Sequence, residues 1–359
     1  MKLFANIYKN KSVFVTGHTG FKGSWLTLWL ENLSAKVSGF SLDPEADPNH
    51  WNLISSRAVD VRGDINHFEN LKAAITEAKP EIVFHLAAQP LVRRSYREPL
   101  NTWQTNVAGT ANLLEACRSV KSVKAVVVIT TDKCYENKEW EWGYRENDRL
   151  GGHDPYSASK AACELVVDSY RKSFFNEKGV LIASARAGNV IGGGDWSEDR
   201  LLPDLVRAIS EKKILEIRSP GATRPWQHVL DPLAGYLLLG QKLLEGKKEF
   251  AEAWNFGPTH EGNRTVKELL EEIKKSFPDV KWKTDRADHP HEAGFLFLDI
   301  SKARQKLQWN PVWNFSESVQ KTAEWYREFI KDSKAVLSEK HLKEYIENAK
   351  NRDASWCRN

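Results

Sequence analysis

Val13-Phe14-Val15-Thr16-Gly17-His18-Thr19-Gly20-Phe21-Lys22-Gly23 decides how this chain is read. A short apolar run stops at Thr16, and three glycines follow at intervals of three. Trp25-Leu26-Thr27-Leu28-Trp29-Leu30 then opens an apolar pattern that suits a helix. The stretch predicts a strand, a tight glycine turn and a helix. Gly17 lets the backbone turn sharply, Gly20 lets a pyrophosphate approach, and Gly23 lets helix and strand pack closely. Free N–H groups at the helix start face the phosphates. On this reading Gly17, His18, Thr19, Gly20, Phe21, Lys22 and Gly23 form a dinucleotide cradle. The spacing is G-x-x-G-x-x-G, not the G-x-G-x-x-G of ordinary dehydrogenases. Glycine-rich loops also precede ordinary surface helices, so the neighbouring segments have to agree.

They do. Lys36 to Leu42 reads as a second strand, with Asp43 roughly 20 residues beyond the glycines, where an acid takes the ribose hydroxyls of NAD and repels the 2′-phosphate of NADP. Alternatively, the strand ends at Ser41 and Asp43 only starts the Asp43-Pro44 turn. Val59 to Ile65 reads as a third strand; Asp64, beside Ile65, reaches an adenine or caps the next helix. Glu81 to Gln89 is a buried strand running into Leu86-Ala87-Ala88-Gln89, small enough for backbone to approach a dinucleotide. Asn101 to Ser119 has helical spacing, with Asn106 among its polar positions. Val123 to Ile129 is almost all Val and Ala, as in a central parallel strand covered on both faces. It ends at Thr130-Thr131-Asp132-Lys133, so polar groups gather at the strand edge where open α/β sheets bind ligands. Strand and helix alternate through Leu181 to Ala187, which predicts an α/β doubly wound parallel sheet of Rossmann type. We expect residues 1–187 to form the dinucleotide-binding domain, with added segments near 225–260. Residues 188–340 would form mainly a smaller substrate domain, and 341–359 a helical tail. The last 30 residues, rich in Lys and Glu, read as solvated helix.

Composition narrows the class. The 359 residues are 28% charged and 41% hydrophobic with a net charge of +4, ordinary for a soluble globular protein and no argument for nucleic acid. The four cysteines are scattered, which gives neither a metal site nor a disulfide framework. No signal-peptide core or membrane-length apolar run is present, so the expected compartment is the cytoplasm. Most of the 14 tryptophans are expected in the core or on sugar-facing surfaces.

Tyr156 and Lys160 carry the chemical argument. At i and i+4 they share a helix face, and an ammonium beside a phenol favours phenolate. Tyr156 would then serve as a general base near neutral pH. The motif alone is common on surface helices; its weight comes from following the glycine turn and the Thr131 strand end in order.

Thr16 to Gly23, His85 to Gln89, Thr130 to Lys133 and Tyr156 to Lys160 together resemble the extended short-chain dehydrogenase/reductases that act on nucleotide sugars. The likeness continues in Arg186 to Gly194, in Leu202-Pro203 and in Thr223 to Val229. Epimerases of that family usually carry Ser-Ser or Ser-Thr at the strand end, and its 4,6-dehydratases Thr-Asp-Glu. Thr131-Asp132-Lys133, with Gly17 to Trp25 and Ala87 to Tyr96, is most similar to the dehydratases that act on CDP-glucose. The resemblance implies an NAD-dependent lyase of deoxysugar (O-antigen lipopolysaccharide) biosynthesis with a CDP-sugar substrate. Tyr156 would act as base, Thr131 as its hydrogen-bond partner and Lys160 as tuner. Asp132 and Lys133 would form the acid–base pair, their division of labour open, with a plain salt bridge as the alternative for Lys133. Ser95, Asn189, Arg218, Arg224 and His291 would bind substrate, the arginines at a diphosphate. His289-Pro290-His291-Glu292 looks metal-like but lacks further ligands. The family also implies a homo-oligomer, dimeric through helices that include Ala161 to Tyr170. Two rivals remain: a 4-epimerase or another nucleotide-sugar dehydratase, and a non-catalytic cofactor sensor.

Overall fold

The computed structural model describes residues 2–175, 179–285 and 293–358. Six strands follow in chain order: β1 Ser12–Thr16, β2 Lys36–Ser41, β3 Val59–Arg62, β4 Ile82–His85, β5 Ala125–Ile129 and β6 Leu181–Ala187. A seventh, Ala253–Phe256, joins the same sheet beside β6. The order is β3-β2-β1-β4-β5-β6 and then Ala253–Phe256, and every pairing is parallel. Strand order reverses between β1 and β4, which opens a crevice at their carboxyl ends. Register brings Thr16 opposite His85, and Ile129 opposite Ala185, along that edge.

Helices cover both faces, and burial explains the strand sequences. Every residue of β4, β5 and β6 is buried, and β5 reads as a continuous apolar run without alternation. Helix Phe21–Asn32 is buried from Gly23 to Glu31, and Leu230–Leu244 is buried along nearly its whole length. Val59 to Ile65 was expected as one strand; it ends at Arg62, and Asp64 lies in the turn beyond, where its Oδ1 accepts from the Asn66 amide at 2.9 Å.

A smaller lobe caps the crevice. It pairs Leu215–Ile217 with Trp282–Thr284 and Thr223–Pro225 with Asn263–Thr265. Its core gathers Ile217, Trp226, Leu269, Leu270, Ile273 and Val319. Thr265 with Glu268, and Asn314 with Glu317, form capping boxes that start its helices Val266–Lys274 and Phe315–Lys331.

The C-terminal segment corrects one expectation. Helix Ser338–Asn351 exists, yet its inner face is not solvated: His341, Leu342, Tyr345 and Ala349 are buried. Tyr345 Oη donates to Asp231 Oδ1 at 2.8 Å, and Trp356 stacks on Phe4 at 5.0 Å. The tail thus closes over the outer face of the sheet domain. Among the described residues no helix is long and apolar enough to cross a membrane.

Candidate active site

The crevice between sheet and smaller lobe is a cleft of about 930 Å³. Its floor is the glycine turn. Gly17 has φ +71°, and a Cβ there would meet the Ala87 amide nitrogen at 2.7 Å. A Cβ on Gly23 would lie 2.0 Å from the Gly17 carbonyl oxygen, so loop and helix close together only with glycine at both positions. Gly20 sits at the N-cap of the following helix and has no side chain to fill the space before it. These features fit a pyrophosphate against the helix N-terminus. Thr19, Phe21, Lys22, Ile65, Leu86, Ala87, Ala88 and Gln89 line the same cleft. Thr19 Oγ1 ties the turn to the end of β2 through Ser41 and the Leu42 carbonyl, at 2.8 and 3.0 Å. Asp43 and Asp64 stand at the far end. β2 stops at Ser41, and the Asp43 side chain is 88% exposed, with Arg62 at 3.6 Å.

Three expected contacts do not reach the cleft. The His18 ring lies over Gly39, edge-on to Trp51, and bonds Asp60 at 2.9 Å. Ser95 donates back to the Val92 carbonyl at 2.6 Å. Asn106 lies in a π-helical turn, Gln104–Ala108, and faces inward. Its Oδ1 accepts from the Gln89 amide, while Nδ2 donates to the Gln89 carbonyl and Ser159 Oγ. Asn106 therefore locks the end of β4 to the Tyr156 helix. His291 lies outside the described residues.

The residues expected to be catalytic converge. Helix Pro155–Tyr170 starts at Asp154, whose Oδ1 accepts from the Ser157 amide at 2.9 Å, with Pro155 in the first turn. This cap directs Tyr156 and Lys160 into the cleft opposite Thr131, Asp132 and Lys133. Thr131 caps the short turn Asp132–Cys134 and donates to Asp132 Oδ1 at 2.9 Å. Lys133 Nζ lies 3.3 Å from the same oxygen and 3.5 Å from Asn189 Oδ1. Asp132 Oδ2 is buried without a hydrogen-bond partner among the described residues, held beside Gly188, where a Cβ would come within 3.0 Å. An unbonded carboxylate oxygen in a cleft is equipped to move a proton.

The expected phenolate is corrected. Burial pushes the Tyr156 phenol above its ordinary range, and its hydrogen bond to Thr131 only partly offsets this. Burial also lowers Lys160, whose Nζ is 3.4 Å from the Ile129 carbonyl. Desolvation outweighs the pairwise attraction that the i, i+4 spacing suggested. Lys22 is pulled down to about 7, first by burial and then by Arg200, with Lys160 and Lys133 adding to the effect.

Residues 14–322 match the GDP-mannose 4,6 dehydratase family. The chain belongs to that family. It is 47% identical over 352 residues to a CDP-glucose 4,6-dehydratase of Salmonella typhimurium, covering 95% of this chain and 98% of the relative. Among solved structures, an epimerase of Methanothermobacter thermautotrophicus superposes with TM-score 0.80 at 26% identity, over 91% of this chain and 96% of the other. A dTDP-glucose 4,6-dehydratase of Streptomyces venezuelae, solved with NAD, gives 0.73 at 25%, over 88% and 97%.

Several residues of this dehydratase-family site went unread in the sequence. Arg200, at the start of helix Leu201–Ser210, pairs with Asp195 at 2.9 Å and lines the cleft. Glu164, on helix Pro155–Tyr170, and Arg186, on β6, form a buried ion pair at 2.8 Å. Glu164 was findable: it follows Lys160 by four residues and shares the face of Tyr156. Arg186 was quoted only as part of a motif. Arg218 and Arg224 do line the cleft, with Asp199 at 3.5 Å from Arg218 and the Thr223 carbonyl at 3.0 Å from Arg224.

Proposed function

We propose that this protein is a CDP-glucose 4,6-dehydratase, converting CDP-D-glucose to CDP-4-keto-6-deoxy-D-glucose and water. The observation that carries the reading is Thr131-Asp132-Lys133 lining one cleft together with Tyr156 and Lys160, in a chain nearly half identical to an enzyme of that name.

Gly17, Gly20 and Gly23 would let NAD lie against the helix N-terminus, where it would supply a hydride acceptor for C4 and a hydride donor for C6. Tyr156 takes the C4 hydroxyl proton, with Thr131 steering the phenol. Its raised pKa requires positive charge nearby, and the Arg200 guanidinium pulls the phenol down. The 4-ketone acidifies the C5–H bond. The Asp132–Lys133 pair then removes that proton and protonates the departing C6 hydroxyl. Arg218 and Arg224 hold the diphosphate, with Asn189 donating beside them. Exposed Leu100, Trp103 and Leu165 support assembly as a homo-oligomer, and we assign the enzyme to the cytoplasm.

CDP-glucose carrying deuterium at C4 tests the scheme: the label is expected at C6 of a 4-keto-6-deoxy product. Retention of the C6 hydroxyl with inversion at C4 would instead make the protein an epimerase.

A further inference from the structure

Four segments meet at the mouth of the cleft, two basic and two acidic. The short helix Val92–Arg97 supplies Arg93, Arg94 and Arg97. Facing it, the loop before helix Leu201–Ser210 supplies Glu198 and Asp199. Asp199 Oδ1 accepts from Arg93 at 2.9 Å and lies 3.5 Å from Arg218 Nη1, so one carboxylate oxygen joins two arginines from distant parts of the chain. Glu198 Oε1 takes Arg94 at 3.0 Å and Arg97 at 2.9 Å. Arg94 also reaches Glu45 at 2.7 Å, across the dinucleotide end.

Asp199 makes these contacts from a left-handed backbone, φ +57°, a conformation that side chains with a Cβ adopt at a cost. The ring of arginines would be an open anion site without the two acids. With them, Arg93, Arg94, Arg97 and Arg218 are each already matched by a carboxylate. A diphosphate offers more charge and bidentate geometry to the same guanidinium groups. The acids and the diphosphate therefore compete for one set of donors.

We propose that Glu198-Asp199 is an internal anion that occupies the arginines of the cleft mouth in the free protein and is displaced by the diphosphate of an incoming sugar nucleotide. The inference rests on the substrate class proposed above, and it makes the 195–200 loop a clasp. Entry of substrate breaks the Asp199 pairs and frees Arg93 and Arg218 for phosphate oxygens.

Inorganic pyrophosphate is the probe, titrated calorimetrically into the protein saturated with NAD so that the glycine turn is filled. Asp199→Asn keeps a side chain that tolerates the left-handed backbone and removes the competing charge. Asp199→Gly removes the side chain and the backbone cost together. Both are expected to bind pyrophosphate about fivefold more tightly than wild type, the worth of one half-exposed ion pair. The gain should shrink when Arg93 and Arg218 are both changed to Gln. In turnover, the KM for CDP-glucose should fall by more than kcat changes. Unchanged or weaker pyrophosphate binding in both Asp199 variants would overturn the clasp. Wild-type failure to turn over CDP-glucose would overturn the functional reading instead, and the pyrophosphate titration would still judge the clasp.

Discussion

Glu164→Gln is the sharpest test of how the site is held. Glu164 and Arg186 have side chains only 3% and 4% exposed. Glu164 Oε2 accepts from Arg186 at 2.8 Å and from Ser184 Oγ at 2.7 Å, while Oε1 accepts from Thr130 Oγ1, next to Thr131. Gln has the same shape but no charge, and one of its two terminal groups only donates. The hydroxyls of Thr130 and Ser184 can rotate; the Arg186 guanidinium cannot accept. The change strands a buried cation, which costs about 3–5 kcal/mol. With an unfolding entropy of about 2.1 cal/mol/K per residue, a chain this long loses about 4–7 °C in Tm. Differential scanning calorimetry at pH 7 reads the shift directly. The pH dependence is a second check. Arg186 holds the Glu164 carboxyl below its ordinary value despite the opposing desolvation. Its contribution is therefore full above the unfolded carboxylate pKa and fades as pH falls through the lowered folded one. The Tm gap should persist from neutral pH to about 5 and close in stronger acid. Replacing the pair together, Glu164→Leu with Arg186→Met, should recover part of the loss, since apolar side chains leave no stranded charge. A single-variant Tm within 1 °C of wild type at pH 7, on the order of an exposed pair, would refute the reasoning.

Further outcomes follow from the same geometry. Tyr156→Phe should lower kcat by about 10²–10⁴, the worth of a positioned general base, in an NMR assay of the 4-keto product. Lys133→Met should abolish solvent-deuterium exchange at C5 of the substrate while leaving CDP binding within a few fold, which separates a chemical role from a salt bridge alone. Lys22→Met should stabilise the ligand-free protein at pH 6–7, because the amine is lowered to about 7. That penalty is full below the folded value and vanishes as pH approaches the unfolded one, so the gain in Tm should fade toward pH 10. All four thiols are free and buried, with Cys117 raised to about 12 and Cys357 to about 11. Ellman's reagent should therefore find no fast thiol in the native protein and four after denaturation; one fast thiol would contradict the packing of the tail around Cys357.

The sheet was legible because burial on two faces leaves a plain mark. β5 is Ala-Val-Val-Val-Ile, and no helix-period or alternating pattern competes with it. The glycine turn was legible for a steric reason, since Gly17 and Gly23 sit where a Cβ would meet backbone. The direction of polar side chains around that frame was not. Spacing places His18 in the turn but cannot tell that its ring packs over Gly39. Asn106 faces the core because a π-helical turn shifts the helix phase, and a regular helix drawn from the sequence misses that rotation. The tail had a readable stripe, with His341, Leu342, Tyr345 and Ala349 at helical spacing. Its Lys and Glu content concealed that stripe.

The remaining failures share one cause. The i, i+4 rule found the Tyr156–Lys160 pair but supplied the wrong sign for the phenol, because a pairwise rule carries no desolvation. Arg93 and Asp199 lie more than a hundred residues apart, and no periodicity announces an ion pair between loops. Lys22 and Asp132 each satisfy a motif, yet only the folded chain buries them in one cleft, with Asp132 Oδ2 left unbonded among the described residues. Sequence rules describe how elements form, and elements form to bury apolar surface and satisfy polar groups. A reactive cleft departs from both aims at chosen positions, so the rules fail there first. The depressed amine, the raised phenol and the unbonded carboxylate oxygen all line one cavity at the carboxyl edge of β5. That coincidence favours catalysis over mere cofactor storage: a sensor needs the glycine turn but gains nothing from burying a depressed amine, a raised phenol and a carboxylate beside it.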